Sequence, residues 1–141
     1  MKKTVLALLA LVLVSCSSSM KQTGTKPLFE VMTQQSDGGA NIRFFEILSE
    51  PKEIAMLQND DKLKNKIHSE DVQNSNFVVL NMGEKPTGGY KIGVETVVET
   101  ESNIVVTIKE TLPEPGAMTT QGITTPYCIL KINSKKEIVI K

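Results

Sequence analysis

The residues able to do nucleophilic or metal chemistry are few: two cysteines, Cys16 and Cys128, and one histidine, His68. A catalytic cysteine needs a neighbouring base or cation to hold it as the thiolate. Cys128 instead lies in Pro126-Tyr127-Cys128-Ile129-Leu130, an apolar run that reads as a strand, where a thiol packs as a small hydrophobe. His68 has Glu70 and Asp71 beside it, but zinc takes several His or Cys ligands at recognisable spacing, so no metal site is expected. The run Gly83-Glu84-Lys85-Pro86-Thr87-Gly88-Gly89 lacks the Gly-Lys-Ser/Thr ending of a phosphate-binding loop and leads into a strand. No serine sits in a Gly-x-Ser-x-Gly setting, and the carboxylates are too scattered to place an acid–base pair. These patterns predict no catalytic residue, no cofactor and no small-molecule substrate. The chain reads as a non-enzyme.

Cys16 has a different use. Lys2 and Lys3 precede Val5 to Val14, an unbroken run of 10 apolar residues. A membrane-spanning helix needs about 20. The run fits the hydrophobic region of a secretory signal, about 7–15 residues. Leu13-Val14-Ser15-Cys16 then resembles the lipobox of bacterial lipoproteins, in which a diacylglyceryl group is joined to the cysteine sulfur and the signal is cut before it. Each buried methylene contributes about 0.8 kcal/mol, and two or more acyl chains make anchoring stable. Residues 1–15 are therefore expected to be a signal peptide, with Cys16 the lipid attachment point and the membrane a partner through it. Residues 16–27 are rich in Ser, Thr, Gly and Lys without apolar periodicity, which predicts a flexible linker. Fully extended, Ser17 to Pro27 would reach roughly 35–40 Å. Ser17 is not the aspartate associated with inner-membrane retention, so the expected place is the bacterial cell envelope, lipid-anchored at the outer membrane.

Loss of Lys2 and Lys3 would leave 14 of the 16 basic residues against 16 acidic ones, and Arg43 is the only arginine. That balance, with no basic stripe, excludes a nucleic-acid partner. With Cys16 lipidated, Cys128 has no disulfide partner, so residues 28–141 must be stabilised by a core alone.

That domain is patterned mostly with period two. Leu28 to Gln35 reads as a strand, Ser36-Asp37-Gly38-Gly39 as a turn, and Ala40 to Leu48 as a returning strand. Ser49 or Glu50 caps a short helix with Pro51 in its first turn. Asn59 to Lys66 reads as a frayed continuation or an exposed connection. Phe77 to Leu80 is continuously apolar, which suits a strand covered on both faces. Tyr90 to Val94 and Ile104 to Leu112 alternate around Ser102-Asn103 as a long antiparallel hairpin. Pro113 to Thr125 is a long loop, followed by strands Pro126 to Ile132 and Glu137 to Ile140. The expected fold is mainly β (α+β): an antiparallel β-sandwich or half-barrel of about seven strands with one short helix.

Asn81-Met82-Gly83-Glu84-Lys85-Pro86-Thr87-Gly88-Gly89-Tyr90-Lys91-Ile92, with Lys109 to Pro113, Pro115-Gly116 and Thr124-Thr125-Pro126-Tyr127, resembles the PrcB C-terminal domain family. The resemblance is tightest over residues 76–132. The family is named for a lipoprotein subunit that binds and stabilises the protease of a surface protease complex. The resemblance therefore implies an accessory subunit with a protein partner, a protease. Pro86-Thr87-Gly88-Gly89-Tyr90 also resembles a loop of chagasin-type cysteine-protease inhibitors, although Lys85 replaces an asparagine, Gly88 replaces a threonine and the chain has no Trp. Inhibition is the alternative reading, and a structural envelope lipoprotein without a dedicated partner is another.

The hairpin brings its open ends together, which predicts that Gly89 lies close to Pro113. Lys85, Pro86, Thr87, Gly88, Gly89 and Tyr90 on one loop should then share a partner-binding surface with Pro115, Gly116, Met118, Thr125, Pro126 and Tyr127. Long loops inside compact domains are usually functional or disordered, and Met118 would offer an adaptable apolar contact.

Overall fold

The computed structural model describes residues 25–141. The expected signal peptide, Cys16 and the linker up to Gly24 lie outside the described residues. Among the described residues no helix is long and apolar enough to cross a membrane.

The apolar run ahead of the glycine-rich loop is the centre of the molecule. It forms β3 (Asn76–Met82), paired on one side with β2 (Arg43–Leu48) and on the other with β6 (Tyr127–Ile132); β1 (Phe29–Gln35) lies beyond β6. All pairs in this four-stranded sheet are antiparallel. The second sheet has the order β4 (Lys91–Glu99), β5 (Asn103–Thr111), β7 (Glu137–Ile140), and β7 runs parallel to β5. Seven strands in two sheets make the expected β-sandwich, with one parallel pair in it.

Alternation decides which side chains fill which core. Val78, Leu80 and Met82 of β3, with Cys128, Leu130 and Ile132 of β6, meet Ile92, Ile104, Val106 and Ile138 of the second sheet. Phe77, Tyr127, Ile129, Leu48 and Met32 on the opposite face are covered by Ile54, Leu63 and Ile67 from the connection between β2 and β3. That is why β3 and β6 are apolar on both faces. Leu63 anchors the charged stretch 59–66 across the sheet; its full burial contributes about 1.5–3 kcal/mol.

Two short helices lie in this connection, one more than the sequence pattern shows. In α1 (Pro51–Leu57), Glu53 accepts the backbone N–H groups of Ser49 and Glu50, each at 3.1 Å. In α2 (Ser69–Asn74), Asp71 accepts the His68 N–H at 2.9 Å. α2 has no apolar stripe, and its buried residue is Asp71 itself, so period alone does not announce it.

The first two strands do not return on one another. β1 and β2 sit at opposite edges of their sheet, and residues 36–42 cross the ends of β6 and β3 between them. A turn signal specifies local backbone shape, whereas the pairing partner is set by which neighbour buries the strand.

Candidate functional site

The β4–β5 hairpin keeps Lys91 opposite Thr111 and is closed at its far end by Thr100, whose N–H donates to the Asn103 carbonyl at 2.8 Å. Its open end therefore delivers the Gly83–Tyr90 loop and the Pro113–Thr125 loop side by side. They are zipped together. Lys85 and Thr124 form an antiparallel bridge, with N–H···O distances of 2.8 and 3.0 Å. Gly88 N–H donates to the Thr120 carbonyl at 3.1 Å, and Thr124 Oγ1 donates to the Thr87 carbonyl at 2.8 Å. Gly89 adopts φ +90°, and a Cβ there would sit 2.8 Å from Pro113 Cβ. Only glycine combines that backbone with that approach. The juxtaposition of Gly89 and Pro113 read from the hairpin is present.

The crossover of residues 36–42 locks the base of both loops. Asp37 Oδ1 accepts from Thr125 N–H at 3.0 Å and from Thr125 Oγ1 at 2.9 Å, and Gly39 N–H donates to the Thr125 carbonyl at 2.9 Å. The Thr125 hydrogen bonds, hydroxyl first, lower the pKa of the Asp37 carboxyl. The sign follows: this clamp is intact above the ordinary carboxylate range and is lost as acid titrates Asp37 through its lowered value. Asn81, buried on β3, holds the other end, accepting from Ala40 N–H at 2.9 Å and donating to the carbonyls of Ala40 and Ile42. Glu84 N–H donates to the Asn41 carbonyl at 2.9 Å, so the crossover joins the same apex.

What this apex displays differs in part from the residues singled out in the sequence. Pro86, Gly89, Pro115, Gly116 and Met118 are exposed, and Lys85, Thr87 and Tyr90 are half-buried, with the Lys85 ammonium 5.8 Å from the Tyr90 ring centroid. Gly88 is buried against Thr120. Thr125, Pro126 and Tyr127 are buried as well, which corrects their reading as surface contacts. Thr125 is spent on Asp37, and Tyr127 faces the helical layer, where its hydroxyl accepts from Lys62 Nζ at 3.2 Å. Three aliphatic residues not foreseen stand around the apex instead: Ile42 (71% exposed), Leu112 (63%) and Ile123 (65%), beside a fully exposed Met118. Ile42 and Leu112 lie at junctions of strand and loop, where period cannot say whether an apolar side chain turns in or out, and Ile123 lies within the Pro113–Thr125 loop beside the Lys85–Thr124 bridge. Arg43 and Glu110 bridge the two sheets at 2.9 Å alongside them.

Elsewhere the nucleophile and metal candidates resolve structurally. His68 is an exposed residue preceding α2. Among the described residues no grouping of His, Cys, Asp and Glu could hold a metal ion. Cys128 is a free, fully buried thiol, and burial pushes its pKa up from 9.0 to about 11. The unfolded thiol ionises first, so this group's contribution to stability is whole below about pH 9 and is lost as pH rises toward 11. Iodoacetamide should therefore label Cys128 negligibly in the folded protein at pH 8 and readily in urea. Cys128→Ser should cost about 1–2 kcal/mol by burying a hydroxyl without a partner. Rapid labelling under native conditions would contradict this packing.

Residues 76–133 match the family model described as PrcB C-terminal. The matched stretch runs from β3 through β6 and contains both zipped loops, the region that carries the sequence resemblance. Neither the curated proteins nor the solved structures contain a match to this chain.

Proposed function

We propose, on the premise that residues 76–133 are of the PrcB C-terminal type, that this protein is a lipid-anchored protein-binding module of the bacterial cell envelope. In this reading it serves as an accessory or stabilising subunit of an extracytoplasmic protease complex. The observation that carries the reading is the apex: exposed Ile42, Leu112, Met118 and Ile123 surround two loops cross-bonded to each other. Clustered exposed apolar side chains mark interaction sites. Loops already fixed by backbone hydrogen bonds lose little entropy on docking. Cys16 would hold this surface near the membrane, with the linker setting its reach.

The test is crosslinking of native membranes followed by recovery of the protein and mass spectrometry, run on wild type, Cys16→Ala and Met118→Ala/Ile123→Ala. Wild type should sediment with membranes and bring down one dominant protein partner. Cys16→Ala should leave the membrane fraction or accumulate uncleaved. The apex double variant should stay anchored, keep its stability within about 0.5 kcal/mol as exposed sites do, and lose most of the partner. A Cys16→Ala protein that is cleaved and still membrane-bound refutes the anchor. Undiminished partner recovery with the apex variant refutes the surface.

A further inference from the structure

Four strands form sheet edges, and β2 differs from the other three. β1 shifts register between Val31 and Thr33, and β4 between Val94 and Thr96; β7 is only 4 residues long. Bulges and short strands are the usual ways an edge is closed to added chains. β2 instead keeps unbroken register from Arg43 opposite Met82 to Leu48 opposite Phe77. Its outer side therefore presents a regular row of backbone donors and acceptors.

A cavity opens on each face of that edge. Phe45 packs into the sandwich core, and Ile47, on the same face, lines a cavity of about 520 Å³ together with Val72, Asn76 and Ile138. Asn76 is 3% exposed, and among the described residues its Oδ1 has no hydrogen-bond partner. On the opposite face Leu48, Leu57 and Val79 line a cavity of about 320 Å³. Glu46, Glu53 and Asp60 also line it, and among the described residues no Lys or Arg does.

We infer that β2 is a docking edge for an extended basic segment of a partner protein, which adds as a fifth strand to the four-stranded sheet and sends alternate side chains into the two cavities. In strand addition, main-chain hydrogen bonds supply affinity and pockets for alternate side chains supply specificity. Side chains on one face of the incoming strand are Lys or Arg: the stem covers the apolar floor and the head reaches the carboxylates. Side chains on the other face are Thr or Val, small enough to lie against Ile47 and Ile138, and a threonine hydroxyl supplies the donor that Asn76 Oδ1 lacks. The carboxylates of the second cavity favour basic segments over acidic ones, whereas the first cavity is charge-balanced, with Lys135 and Lys136 beside Glu50 and Glu137. The two cavities share no lining residue with the displayed apex, and the edge meets it only at Arg43, next to Ile42.

The experiment titrates the full-length protein with a blocked six-residue peptide alternating Lys with Thr, matched to the 6 residues of β2. Backbone amide hydrogen exchange is read with and without the peptide. Binding should slow exchange within Arg43–Leu48, weaken about tenfold or more in Glu46→Lys, and disappear for a peptide N-methylated at alternate residues. A peptide with Glu for Lys should not bind. Because the N-methylated and acidic peptides test the unaltered protein, a misfolded variant cannot mimic success. The inference is overturned by no binding at about 1 mM, by equal affinity for the acidic peptide, or by protection confined to other strands. Concentration-dependent protection of β2 without peptide would also overturn it, by assigning the edge to a second copy of the chain.

Discussion

Lys131→Met is expected to destabilise the protein by about 3–5 kcal/mol, a large share of the roughly 5–15 kcal/mol available to a domain. Lys131 projects from β6 into the helical layer with its side chain 8% exposed. Its Nζ lies 3.4 Å from Asp71 Oδ1 and 3.0 Å from Glu30 Oε2. Asp71 is 3% exposed at its side chain, whereas Glu30 at 40% can be hydrated. Removing the ammonium thus strands one buried carboxylate, and the loss is the desolvation of that ion more than the worth of the pair. Lys131→Met/Asp71→Asn tests the cause. The asparagine oxygen can still accept the His68 N–H, but no buried charge remains, so the double variant should recover most of the loss. Urea unfolding of both variants decides it. If Lys131→Met loses under about 1 kcal/mol, water reaches Asp71; if the double variant recovers nothing, the stem's packing is the cause.

Asn81→Ala should cost about 3 kcal/mol, with its effect concentrated in the crossover. Three backbone groups depend on this side chain: the N–H and carbonyl of Ala40 and the carbonyl of Ile42. Each buried polar group left unpaired costs about 1–3 kcal/mol, and partial hydration keeps the sum below the maximum. Asn81→Asp should do no better, because its second oxygen would face the two carbonyls that the amide now serves. Gly39→Ala would disturb the same joint, since a Cβ there would lie 2.2 Å from Asn81 Oδ1 and 2.8 Å from the Thr125 carbonyl oxygen. Hydrogen exchange should rise over residues 38–43 first. Since Ile42 leaves the apex when the crossover loosens, partner recovery should fall even in variants that remain folded. Uniform exchange across all strands would place Asn81 in the global core instead.

These two sites show where local pattern stops. Alternation in Tyr90–Val94 against Ile104–Leu112 specifies strands and their buried faces, because a side chain's face depends only on its parity along the strand, and the continuous apolar runs Phe77–Leu80 and Tyr127–Leu130 specify strands covered on both faces. The hairpin's arithmetic also brings Gly89 to Pro113 without any distant contact. The second half of the domain and the meeting of its two loops were therefore legible residue by residue.

The remainder depended on partners remote in sequence. Ser36-Asp37-Gly38-Gly39 has the composition of a hairpin turn, yet Asp37 is bonded to Thr125, 88 residues on, and Ala40 to Asn81, 41 residues on. Those bonds carry the chain across the sheet and separate β1 from β2. α2 is held by Asp71 against Lys131, 60 residues away, so no local apolar period marks it. Thr125, Pro126 and Tyr127 read as an exposed motif until the crossover and the helical layer cover them, while the exposure of Ile42, Leu112 and Ile123 is set by how the strand ends and loops pack. Composition and period determined which segments are strands and that two loops would meet. Only the tertiary structure decided which strands pair and which apolar side chains face water, because burial belongs to the whole packed surface and not to any one segment.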